Sequence, residues 1–90
     1  MKKTIEVTLE DVRHGMYRNP WYCPVALASQ RVLGESCRAS IDFISVKGIQ
    51  IDTPADVKRR IRIYDSLKTM DPFSFELDLP DSLVEYLEND

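Results

Sequence analysis

Eleven consecutive positions gather most of the side chains in this chain that could do chemistry: Arg13, His14, Tyr17, Arg18, Asn19, Trp21, Tyr22 and Cys23. They hold the only Trp, the only His and two of the four Tyr, and they lie directly before a helix start at Pro24. A helix N-terminus offers unpaired amides and the positive end of a dipole, both of which favour an anion. Arg13 and Arg18 would add guanidinium forks that match phosphate geometry. Tyr17, Trp21 or Tyr22 could stack on a base. In this reading Arg13 and Arg18 contact phosphate, Trp21 and Tyr22 wall the pocket, and the amides after Asn19 or Cys23 complete the anion site, with His14 and Tyr17 beside it. The ligand would be small, anionic and nucleotide-like. The competing reading, favoured because aromatics dominate small cores, makes Trp21 and Tyr22 staples of the core and leaves the arginines solvated, although core packing does not explain why both arginines and the histidine are there.

Cys23 has a second chemistry open to it. A cysteine at a helix N-terminus can be held as thiolate, and His14 is a conceivable base. The surroundings, Cys23-Pro24-Val25-Ala26-Leu27-Ala28, are apolar, and no Asn or Asp is placed to orient the histidine. A buried structural cysteine is therefore the favoured reading, and no catalytic residue is expected. A single His supports none of the common metal sites, and no motif implies a cofactor. Cys23 and Cys37 do not form a C-x-x-C pair and are too few for a disulfide scaffold, so reduced thiols are expected.

Lys58, Arg59, Arg60 and Arg62 place four positive charges within five residues. They could meet phosphates, but such runs are usual on the solvated face of an amphipathic helix. Net charge is −3, unevenly distributed: residues 71–90 hold seven of the 15 acidic side chains and none of the 12 basic ones, leaving +4 on the first seventy. A mildly basic body with an acidic tail can bind an anion, whereas the overall acidity argues against a general nucleic-acid binder. No apolar run reaches the roughly 18 residues of a membrane span, and the start of the chain lacks the apolar stretch of a signal peptide, so a cytoplasmic protein is expected.

Ninety residues make one domain with a thin core. Ile5, Val7 and Leu9 alternate with polar residues over 4–9, the mark of a half-buried strand. Thr8 with Asp11 resembles a capping box for one helical turn over 9–14, stopped by Gly15. A stiff, proline-bounded loop follows, and then a helix from Pro24 to Gly34. Residues 38–46 read as one strand with apolar groups on both faces, turned by Lys47-Gly48 into a strand over 49–52. Thr53-Pro54 opens a second long helix, Thr53 as its cap. Phe73 to Leu79 alternates throughout, and Pro80 begins a short acidic helix that should fray unless it docks. The expected architecture is α+β, in the order β-α-β-β-α-β: a mostly antiparallel four-stranded sheet with helices on one face, a domain over 1–79, and an acidic helical extension over 80–90. The apolar centre of the open sheet face suggests a dimer interface, hence a homo-oligomer.

Three segments carry a resemblance: Ile-Glu-Val-Thr-Leu-Glu-Asp-Val over 5–12, Asn-Pro-Trp-Tyr-Cys-Pro-Val-Ala-Leu-Ala over 19–28 and Asp-Pro-Phe-Ser-Phe-Glu-Leu-Asp over 71–78. The chain resembles a family of small uncharacterised proteins of tailed bacteriophages and prophages with a Cys-Pro-Val/Ile-Ala-Leu segment. The resemblance covers most of residues 4–79 and transfers no catalytic residue. It implies a phage accessory protein in the host cytoplasm that works by binding host molecules. One version sequesters a nucleotide defence signal, and the Arg and aromatic loop suits it. The other inhibits a host protein through a charged or apolar surface.

Overall fold

The alternating segments at the two ends of the chain find each other. In the computed structural model, which describes residues 1–88, β1 (Lys2–Val7) pairs antiparallel with β5 (Phe73–Asp78), from Lys2 opposite Asp78 to Val7 opposite Phe73. One face of this ribbon buries Ile5, Val7, Phe75 and Leu77, and the polar alternates point to water. A two-stranded ribbon is marginal alone. It is completed by α2 (Pro24–Leu33), whose Val25, Ala26 and Ala28 are fully buried.

The fold is α+β with antiparallel pairing and a short final helix, but among the described residues five strands form two sheets and not one sheet of four. β2 (Cys37–Ala39), β3 (Phe43–Val46) and β4 (Ile49–Asp52) form the second sheet, in that order. The physical reason is the break in what the sequence presents as a single strand over 38–46. The Ser40 hydroxyl donates to the Phe43 carbonyl at 3.0 Å and accepts from the Phe43 amide at 3.2 Å, closing a tight turn that folds β2 back on β3. Lys47 and Gly48 both have positive φ, 54° and 83°, as a two-residue hairpin turn between β3 and β4 requires. Cys37, Ala39, Ile44 and Val46 of this sheet are buried in the same core as Ile5 and Leu77.

The helix boundaries have local causes. α1 (Leu9–His14) carries a complete capping box: Thr8 Oγ1 accepts from the Asp11 amide at 3.2 Å, and Asp11 Oδ2 accepts from the Thr8 amide at 2.9 Å. α3 (Ala55–Leu67) buries Val57, Ile61 and Tyr64 on one face. Its cap position is Pro54, without a side-chain bond, and not the expected Thr53. Thr53 is buried elsewhere: its hydroxyl donates to the Ser40 carbonyl at 2.9 Å and its amide to the Asp42 carbonyl at 3.1 Å, tying the end of β4 to the β2–β3 turn. α4 (Asp81–Glu88) docks through Leu83, which is fully buried; covering that side chain contributes about 2 kcal/mol. The expected acidic extension over 80–90 includes Asn89 and Asp90, which lie outside the described residues. Among the described residues no helix is long and apolar enough to cross a membrane.

One charged cluster locks the N-terminal elements together. Arg31 on α2 donates through Nη2 to Asp11 Oδ2 at 2.9 Å and to the Glu6 carbonyl on β1 at 2.6 Å. Asp11 is nearly buried; burial alone would push its carboxyl up, but hydrogen bonds from Arg31 and Thr8 together hold it below the ordinary 3.8. A depressed carboxylate contributes stability that is fully present above its unfolded value and lost as pH falls through the folded one. Arg31→Ala should therefore destabilise the fold by about 1–2 kcal/mol in urea unfolding at pH 7, discounted for a half-exposed guanidinium. Asp11→Asn should flatten the loss of stability below pH 4.

Candidate functional site

Loop 15–23 is held at both ends and in the middle. At its start, Gly15 packs on the Pro24 ring: a Cβ added there would lie 2.6 Å from Pro24 Cδ. Gly15 ends α1 as the sequence suggests, but its backbone is extended, with φ −70°, so the glycine answers a need for space. Asn19 organises the middle. Its Oδ1 accepts from the amides of Trp21 at 3.0 Å and Tyr22 at 3.2 Å, and its carbonyl accepts from the Cys23 amide at 2.9 Å. The Met16 amide donates to the Tyr22 carbonyl at 2.8 Å and closes the loop on itself.

Three further bonds seat the loop on its neighbours. The Ala39 amide of β2 donates to the Pro20 carbonyl at 2.8 Å. Gln30 Nε2 on α2 bridges the carbonyls of Trp21, at 3.0 Å, and Cys37, at 2.9 Å. The Arg18 amide donates to Asp65 Oδ1 on α3 at 2.9 Å, which holds Arg18 in the left-handed region at φ 57°. Lys68, also left-handed at the end of α3, places Nζ 4.2 Å from the Tyr17 ring centroid, and the Arg18 guanidinium lies 5.9 Å from the same ring.

Between the loop, the β2–β3 turn and α3 lies a cavity of about 360 Å³. Arg18, Asn19, Pro20 and Cys23 line it from the loop, Arg38 through Asp42 from the second sheet, and Ile61 and Asp65 from α3. Its volume falls at the low end of the roughly 300–1,000 Å³ that small-molecule sites occupy. Two arginines, Arg18 and Arg38, and two aspartates, Asp42 and Asp65, are among its lining residues, and among the described residues none of these four side chains forms an ion pair.

Of the residues that the sequence singles out, Arg18, Asn19 and Cys23 come together at this cavity. Arg13, His14, Tyr17, Trp21 and Tyr22 do not line it. Arg13 pairs with Glu10 at 3.4 Å, and His14 Nδ1 lies 3.0 Å from the Glu10 carbonyl, both on the exposed side of α1. Trp21 is 47% and Tyr22 55% exposed, so they are neither core staples nor walls of the cavity. The amides after Asn19 and Cys23 are already engaged, by Asn19 itself and by Cys23 Sγ, which accepts from the Ala26 amide at 3.4 Å and caps α2. Burial pushes the Cys23 thiol up, so it stays protonated at neutral pH and lacks thiolate character; Cys37 is pushed up to about 11 by burial, with Glu35 adding to it.

Arg38, Asp42 and Asp65 escaped sequence reasoning. For Arg38 a signal existed, since Cys37-Arg38-Ala39 alternates and leaves the arginine on the open side of its strand. The basic face of α3 is partly neutralised within its own helix: Asp56 meets Arg59 at 2.5 Å and Arg60 at 3.0 Å, and Arg60 also stacks 4.2 Å from the Phe73 ring centroid. That is the solvated-face arrangement. Among the described residues no group of three His, Cys, Asp or Glu side chains is disposed to hold a metal ion. Comparison with protein-family models, curated proteins and solved structures finds no match to this chain.

The contact at Gly15 gives a direct check on how the loop is held. Gly15→Ala drives a methyl group into the Pro24 ring and must shift the start of α2 or the loop, costing about 1–3 kcal/mol in urea unfolding. A cost below the error of that measurement would mean that the loop is not seated on Pro24.

Proposed function

We propose that this chain is a non-enzymatic binding protein that takes a small anionic, nucleotide-like molecule into the cavity between loop 15–23, the β2–β3 turn and α3. Arg18 and Arg38 anchor the anion. The observation that carries this reading is their position on one cavity, from segments twenty residues apart, with neither guanidinium committed to a carboxylate among the described residues. An arginine fork without a carboxylate partner is suited to phosphate or another planar anion. The neutral, helix-capping Cys23 thiol and the engagement of His14 with Glu10 support binding over catalysis. Combined with the resemblance to phage proteins, this suggests an accessory protein that withdraws a nucleotide defence signal in the host cytoplasm. The reading includes a homo-oligomer, in which Phe43, 39% exposed on β3, is the apolar group to be covered.

A second reading has its own observation. Met16, Tyr17, Trp21 and Tyr22 are each 44–55% exposed on one short loop. Half-exposed Trp and Tyr beside Arg are the residue types that dominate protein interfaces, which favours a host-protein partner at this surface.

Native mass spectrometry of the protein after incubation with a lysate of infected, defence-active cells separates the two. Sequestration predicts a nucleotide-sized adduct released by heat, lost in Arg18→Ala and Arg38→Ala and retained in a Trp21→Ala/Tyr22→Ala double variant. A stoichiometric host protein, lost in the double variant and retained in the arginine variants, would replace it with the inhibitor reading.

A further inference from the structure

The cavity that holds Arg18 and Arg38 is not simply basic. Asp42 borders it from the β2–β3 turn, and its side chain makes no hydrogen bond or ion pair among the described residues, so both oxygens are open. Asp65 commits Oδ1 to the Arg18 amide, and among the described residues no hydrogen bond occupies its other oxygen. A site evolved for a bare anion would not set two carboxylates against it, because each like charge near the anion costs affinity. Two carboxylates with open oxygens instead ask for N–H donors on the same ligand. Asp42 presents two acceptor oxygens side by side, the complement of two parallel N–H groups. Apolar flanks are present as well: Ile61, only 4% exposed, with Pro20 and Ile41, can cover the faces of a flat ring.

Resting on the anion-binding reading above, we infer that the cavity recognises its ligand at two ends: Arg18 and Arg38 take a phosphate, and Asp42 takes a pair of parallel N–H donors. Guanine carries such a pair on its N1 and its 2-amino group. Adenine offers only one amino group there. A guanine mononucleotide combines that edge with a phosphate in a size suited to a cavity of about 360 Å³.

The test is calorimetric titration of the full chain, at low salt, with GMP, AMP, guanosine and pyrophosphate, for the wild type and for Asp42→Asn. Two-ended recognition predicts that wild type binds GMP about tenfold or more tighter than each of the other three, the effect of one lost charge-assisted contact. Asp42→Asn should weaken GMP about tenfold and, by removing a repelling charge, strengthen pyrophosphate a few-fold. The opposite signs are what a merely structural Asp42 would not produce, and the wild-type ligand series decides the matter even if the variant fails to fold. Pyrophosphate binding as tightly as GMP, with both strengthened in Asp42→Asn, would overturn the donor-reading role and leave the anion site standing. No binding of any probe by wild type would overturn both.

Discussion

The seating of loop 15–23 is the constraint on which the candidate site depends. The loop ties the second sheet to α3: the Ala39 amide of β2 donates to the Pro20 carbonyl, and the Arg18 amide donates to Asp65 Oδ1 on α3. Asn19 fixes its curvature and Cys23 ends it as the cap of α2. Each of these bonds removes a way for the loop to move. The cavity is the space left over, and its walls are as fixed as those bonds.

The same side-chain types do different work on either side of the molecule. Arg31 is locked to Asp11 and the Glu6 carbonyl, so its charge is consumed in joining α2, α1 and β1. Arg59 and Arg60 are met by Asp56 within one helix turn. Arg18 and Arg38 have no carboxylate within pairing distance among the described residues, although Asp42 and Asp65 border the same cavity. Arg18, Arg38 and Asp42 are exposed, so water solvates their charges and leaving them unpaired costs little. Under the proposed function, a molecule carrying an anion and N–H donors would satisfy both sets at once.

Much of the fold was legible because its signals are local. Pro24 and Gly34 bound α2, the Thr8–Asp11 box starts α1, Lys47-Gly48 turns the hairpin, and the alternation of Phe73 to Leu79 forecasts β5 and its buried face. The partition into two sheets was not legible. It follows from Ser40 folding the chain back where apolar residues on both sides suggest an unbroken strand, and the serine's role depends on where Phe43 lies. The site was legible by half. Concentration of Arg and aromatic residues marks the loop, but pattern cannot say which of them face the cavity. Trp21 and Tyr22 turn outward because Asn19 holds their amides, and Arg38 and Asp65 join through contacts that span twenty and forty-seven positions from Arg18.

The most direct measurement of the central claim is a map of backbone amide shifts in the ¹⁵N-labelled protein on titration with GMP. An anion site at Arg18 and Arg38 predicts saturable changes at Arg18, Asn19, Arg38 to Asp42 and Ile61 to Asp65, with α1 and the β1–β5 ribbon unmoved. Changes centred on Met16, Trp21 and Tyr22 with the cavity residues still, or no saturable change anywhere, would contradict it.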